Sequence, residues 1–404
     1  MNNFKLWKRM IPIFLTSFIA WFYCMTFVPL GYIYNTFPGK DAQVMLIATL
    51  PGIIAMIGGF SVGVLMNLFS KKTLVNLSMI IMIIGGLMIR FLGSQNIIIA
   101  IVGSGLTGFG AGSVPAVNYA SLAEISPENI KDKVCGWSDS LCAAGIMVSS
   151  LIGGFLSASG DWERAYSIYY MVIPILVLSV IWYPNEKTEN KAIENSDEPK
   201  SHTEESILPK SIIATIVIKF FSALFYMAIS LFASALIINE LQIGTSALVG
   251  TAATFSSLVS IASAALVFLW LKFFKGYSTL IAQLVMGVSM LIASYSLSIP
   301  GIVAGWIIFS VGVNSNHCSY GTVVAMAPKG KAVGIASGLF VGATFLGEAL
   351  CGYATPWMAN LIFGSSLPSA CIKTAGILTI IFGIISVLFF KKSYNIAFSR
   401  EVVK

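Results

Sequence analysis

Apolar runs about twenty residues long, separated by short polar turns, recur from one end of this 404-residue chain to the other. A hydrocarbon core about 30 Å thick needs about 20 residues of helix at 1.5 Å per residue. Windows of that length fall near 10–33, 43–68, 74–93, 96–121, 133–157, 165–183, 211–236, 246–270, 277–297, 301–325, 332–355 and 368–390. The pattern predicts twelve membrane-spanning helices, with Pro127, Gly160 and Pro300 among the turn markers. The first run has the basic start of a secretory signal but is too long and lacks a small-residue cleavage site. It reads as a retained first helix.

The pattern breaks once. Residues 184–210 are polar and hold seven of the chain's 17 acids, which is the composition of a flexible linker. The expected domains are an N-terminal six-helix bundle over 1–183, a cytoplasmic linker over 184–210, and a C-terminal six-helix bundle over 211–404 that ends in a short cytoplasmic tail. An offset of 198 aligns Asn118–Leu141 with Asn316–Leu339 without gaps, pairing Asn118 with Asn316, Ser121 with Ser319 and Gly136 with Gly334. Two pseudo-symmetric halves related by an axis along the membrane normal follow from such a repeat.

Composition agrees: 57% of residues are hydrophobic and only 10% charged, against about a quarter charged in soluble domains. The charge is also arranged. With the amino terminus inside, nineteen of the 24 Lys and Arg residues fall on the cytoplasmic side, so both termini are expected in the cytoplasm of a multi-pass plasma (inner) membrane protein. The +7 net charge is this asymmetry and does not point to nucleic acid. Six scattered cysteines lack paired spacing, and no metal cluster, nucleotide loop or nucleophile arrangement stands out, so no cofactor, metal or enzymatic activity is expected.

Charge inside the spans is costly and marks function. Asp139 and Lys219 each lie about eight residues from the cytoplasmic end of their segment, roughly 12 Å deep; His317 interrupts the tenth span and Glu348 the eleventh. This points to a solute carrier. Lys219 either pairs with Asp139 or attracts an anion, and Glu348 has no evident partner in the sequence. Glu348 and His317 are candidates to carry a proton, with Asp139 as a gating or coupling group. Glu124 is expected to pair with Lys131 or Lys133.

The stretch Gly63-Val-Leu-Met-Asn67-Leu-Phe-Ser70-Lys71-Lys72-Thr-Leu74 resembles the loop signature G-x-x-x-D-R-x-G-R-K-x-x-L of the major facilitator superfamily. Gly63, Lys71, Lys72 and Leu74 agree, while Asn67 stands for the usual Asp. In the fifth span Gly136, Gly145, Gly153 and Gly154 follow the family's antiporter signature g-x8-G-x3-G-P-x2-G-G, with Ser149-Ser150 in place of Gly-Pro. The resemblance implies an all-α integral membrane protein of twelve helices, with the first, fourth, seventh and tenth spans lining a central cavity. Those spans offer Trp21 and Tyr23; Asn118 and Tyr119; Lys219 and Tyr226; and Asn314, Asn316, His317 and Tyr320 as substrate-binding candidates. It further implies a secondary transporter, a monomer in the lipid bilayer, that moves a small organic solute by alternating access. Two directions stay open: proton-coupled export, which the antiporter pattern favours, and proton-coupled uptake of an organic anion. A non-transporting sensor on the same scaffold is a third reading.

Overall fold

The computed structural model describes residues 3–66, 68–127, 131–184, 209–327 and 331–398. The loop residue Asn67, most of the expected linker, and the side chains of Lys131, Lys133, Gly136 and Asp139 lie outside the described residues.

Among the described residues the secondary structure is entirely helical. The helices are α1 (Asn3–Ile19), α2 (Leu30–Thr36), α3 (Asp41–Leu65), α4 (Lys71–Leu92), α5 (Ile97–Ile125), α6 (Lys131–Leu156) and α7 (Val172–Trp182) in the first half. The second half holds α8 (Lys210–Tyr226), α9 (Ala228–Ala235), α10 (Ser246–Ala265), α11 (Val267–Phe274), α12 (Ser278–Tyr295), α13 (Ile299–Met326), α14 (Lys331–Phe363) and α15 (Pro368–Phe398). Ten helical segments are long and apolar enough to cross a membrane, and Ser140–Leu156 is a shorter apolar helix. With the 33-residue α14, the segments are consistent with the twelve expected spans.

The first, sixth and seventh spans are among those that are not simple α-helices. The first becomes a 3-10 segment at Phe22–Phe27 before Pro29 caps α2; proline has no N–H for the helical ladder and its ring crowds the preceding turn. The seventh is α8 and α9 followed by a π-helical turn at Leu236–Glu240. The sixth opens as a 3-10 segment at Trp162–Met171, which buries Trp162, Tyr166 and Tyr169.

Helix pairs repeat between the halves. α1 packs on α6 as α8 packs on α14, α4 on α5 as α12 on α13, and α3 on α5 as α10 on α13. The contacts between halves obey the same exchange, α6 on α10 and α3 on α14. Glycines fix the register. A Cβ on Gly145 would fall 1.8 Å from the Phe18 carbonyl oxygen, and one on Gly347 would fall 2.7 Å from that of Phe220. Gly110 sits on Met82, and Gly312 sits on Met286. Phe18 and Phe220, Gly145 and Gly347, and Gly110 and Gly312 are each 202 positions apart. The offset of 198 read from the sequence is therefore four residues short, about one helical turn. Such a slip keeps side chains on the same face, so identities accumulate at the wrong height.

Candidate functional site

The face of α8 carries the chemistry. Lys219, Ser222 and Tyr226 follow one another at helical spacing and are all buried. Lys219 Nζ donates to Asn316 Oδ1 of α13 at 3.2 Å. It lies 4.9 Å from the centre of the Tyr226 ring and 5.6 Å from that of Tyr320. Two electron-rich faces and an amide oxygen thus surround the ammonium, which suits a cation withdrawn from water. The Tyr226 hydroxyl donates to Glu348 on α14. The Tyr226 side chain is thus in contact with both Lys219 and Glu348. Lys219 bonds Asn316, with the Tyr226 side chain between it and Glu348; the expected Asp139 partner cannot be placed, since its side chain is outside the described residues.

Glu348 also forms part of the wall of a narrow cavity of about 30 Å³ between the halves. Tyr23 and Phe27 of the first span, Ala48, Thr49 and Gly52 of α3, Met227 and Leu231 of the seventh span, and Phe345 and Ala349 of α14 complete the lining. The surface is mostly apolar and aromatic, with Glu348 as its charged member.

The other candidates divide. Tyr23 joins the cavity, while Trp21 is half-buried beside it in sequence, at the start of the 3-10 segment. Tyr320 is buried and accepts from Gln283 Nε2 at 3.4 Å. His317 is exposed and packs on Phe340, with ring centres 5.3 Å apart. Asn314 is half-buried and donates to the Ser310 carbonyl of its own helix at 3.3 Å. Tyr119 is exposed. Asn118 departs from the expected role. It is fully buried, donating to Ser17 Oγ at 2.8 Å and the Ile13 carbonyl at 3.2 Å while its Oδ1 accepts from Tyr183 at 3.0 Å. In this conformation its amide is committed to joining α5, α1 and the end of α7.

At the loop motif, Lys71 is buried and pairs with Glu124, so Glu124 has a partner other than the expected Lys131 or Lys133. Lys72 is half-buried, and open space surrounds Gly63. In the glycine pattern, Gly145 meets α1, Gly153 meets Met25, and Gly154 crosses to the second half, where a Cβ would lie 2.7 Å from the Ser246 carbonyl oxygen.

Sequence reading missed the bonds that close the bundle at the end away from the termini. The break near Pro29 leaves backbone groups of the first span to be satisfied elsewhere. Ser234 Oγ donates to the Val28 carbonyl at 2.7 Å and accepts from Gly31 N at 3.0 Å; Asn239 Nδ2 donates to the Gly31 carbonyl at 3.0 Å. Ser246 Oγ donates to the Gly154 carbonyl at 2.9 Å, and Tyr353 to that of Ala42 at 3.2 Å. Of the residues in this seam only Gly154 belonged to a pattern read from the sequence, since backbone acceptors leave no signal.

The sequence profile described as Major Facilitator Superfamily matches residues 10–350. No curated protein matches the chain. Among solved structures, a bacterial homolog of the human lysosomal transporter Spinster, inward-facing and unoccupied, is 13% identical with a TM-score of 0.75 over 99% of this chain and 98% of that one. The peptide transporter POT in complex with alafosfalin is 14% identical, with a TM-score of 0.73 over 96% and 95%. A D-xylose-proton symporter is 15% identical, with a TM-score of 0.70 over 94% and 97%. At these identities the likeness is one of fold.

Proposed function

Because the chain belongs to the Major Facilitator Superfamily, we propose that it is a secondary active transporter that exports a small organic solute across the plasma membrane in exchange for protons. Glu348 carries this reading: a carboxyl on the wall of the central cavity, bonded by Tyr226 and opposed by Lys219. A carboxyl so placed binds a proton in one state and releases it when the cavity is exposed to the other side. The distribution of Lys and Arg puts both termini in the cytoplasm, so the seam formed by Ser234, Asn239 and Ser246 closes the external side. Alternating access then requires that seam to part while the opposite ends approach, with the protein working as a monomer. Export is supported by the antiporter-like glycines Gly145 and Gly154, which lie where α6 meets α1 and α10. The full enclosure of Lys219 weighs against uptake of an anion held by its ammonium.

A metabolite-library screen in membrane vesicles with an imposed pH gradient tests this. The expected result is solute efflux driven by inward proton flow, lost in Glu348→Gln while passive exchange persists. Solute movement indifferent to the gradient, or coupled movement retained in Glu348→Gln, would overturn the assignment.

A further inference from the structure

Lys219, Ser222, Asn316, Ser319 and Gln283 are all fully buried in the second half. Four polar atoms in this group have no hydrogen-bond partner among the described residues: Asn316 Nδ2, Ser222 Oγ, Ser319 Oγ and Gln283 Oε1. Hydroxyls inside helices commonly donate to the carbonyl four residues earlier, as Thr215 and Thr322 do here, both at 2.8 Å. Ser222 and Ser319 do not. Ser222 lies one turn from Lys219 on the way to Tyr226, and Ser319 lies one turn from Asn316, so helical spacing keeps each near its neighbour's face. Gln283 is linked to the group through Tyr320: its Nε2 donates to the Tyr320 hydroxyl at 3.4 Å, and the Tyr320 ring centre lies 5.6 Å from Lys219 Nζ. An ammonium has three donors, and Asn316 takes one of them.

We propose that these five side chains form an internal water site that hydrates the buried ammonium. At about three hydrogen bonds per buried water, the four orphaned atoms and the spare ammonium donors call for about two waters. Water lowers the cost of a charge held in an apolar interior, so Lys219 stays charged opposite Glu348. The proton that moves in the exchange cycle is then the carboxyl's, a consequence that rests on the exchange reading above. Among the described residues, the titratable groups around Lys219 are Tyr226 of its own helix and Tyr320 of α13, whose rings it contacts, with Glu348 of α14 and His317 and Cys318 of α13 acting on it electrostatically.

The sign of a stability change distinguishes a wet site from a dry one. A dry, unpaired hydroxyl is a penalty whose removal stabilises; a hydroxyl bonded to water is a contact whose removal destabilises. Ser222→Ala and Ser319→Ala are to be melted as purified full-length protein, in the wild-type and Lys219→Met backgrounds. The proposal expects lower melting temperatures in the wild-type background and a much smaller drop, or none, beside Lys219→Met. Raised or unchanged melting temperatures for both variants, or equal losses in both backgrounds, would overturn it. Should Lys219→Met fail to fold, an experimental map of the wild type that resolves ordered water decides. Density within hydrogen-bond distance of Asn316 Nδ2 and Ser222 Oγ supports the site, and apolar closure there removes it. Neither readout depends on transport, so failure of the exchange reading is separately visible.

Discussion

Positions 202 apart occupy corresponding places in the two halves, yet they carry different chemistry. Phe18 and Phe220 offer their carbonyls to Gly145 and Gly347 in the same way. At that offset Ser17 corresponds to Lys219, Cys24 to Tyr226, Asn118 to Tyr320 and Ile146 to Glu348. In the first half Ser17 and Asn118 bond each other at 2.8 Å within a neutral network that Tyr183 and Ser138 complete. In the second half an ammonium lies between two aromatic rings and faces a carboxyl. The shared glycines provide a common scaffold. Among the described residues, the two corresponding clusters therefore differ: the one around Asn118 is neutral, and the one around Lys219 and Glu348 is charged.

The largest expected effect tests the shared part. Gly145→Leu places a side chain against the Phe18 backbone, which cannot retreat as a flexible side chain would. Loss of monodisperse protein on size-exclusion chromatography is expected. The effect falls on folding before transport, because the contact is with backbone rather than a loose helix face. Gly347→Leu should behave similarly, and a well-folded product in only one half would break the equivalence.

Next comes the neutral network. Asn118→Leu leaves Ser17, Thr16 and Tyr183 short of a buried partner, at about 1–3 kcal/mol for each group left unpaired. Thermal melting should show a clear loss, while the pH dependence of transport in the surviving protein stays as in the wild type. A shifted pH dependence would place Asn118 in the mechanism after all.

Tyr226→Phe is expected to act more mildly and only on coupling. It removes the hydroxyl that bonds Glu348 but keeps the ring beside Lys219. A hydrogen bond to a charged group contributes about 1.5–3 kcal/mol, so gradient-driven transport should fall at least about tenfold. Equal loss of coupled and passive exchange would assign Tyr226 to solute binding instead. The smallest effect belongs to Gly63→Ala. With open space around Gly63, stability should stay within about 0.5 kcal/mol, and a marked loss of folded protein would show a role that the loop motif alone suggests.

Much of the fold was legible because bilayer thickness constrains sequence directly: apolar run lengths gave the spans, and glycine spacing gave the tight contacts. The site was legible only along a single helix. Lys219, Ser222 and Tyr226 could be placed on one face from their spacing, whereas Glu348 lies 122 residues from its Tyr226 partner. The Lys71 partner of Glu124 was not legible because nearness in sequence pointed to Lys131 and Lys133 and away from the adjacent helix α4. Asn118 looked like a cavity residue because an asparagine in a lining span reads the same whether it faces solute or a neighbouring helix. The four-residue slip in the repeat has the same root, since helical periodicity preserves the face and hides the height.

The central claim is that Glu348, in the second half, is the titrating group of the cycle. Proton uptake by the purified protein, followed with a pH indicator during acid titration, tests it without knowledge of the solute. Wild type and Asn118→Ala should take up the same number of protons, and Glu348→Gln about one fewer. A Glu348→Gln curve indistinguishable from wild type, or a proton lost in Asn118→Ala, would contradict the account.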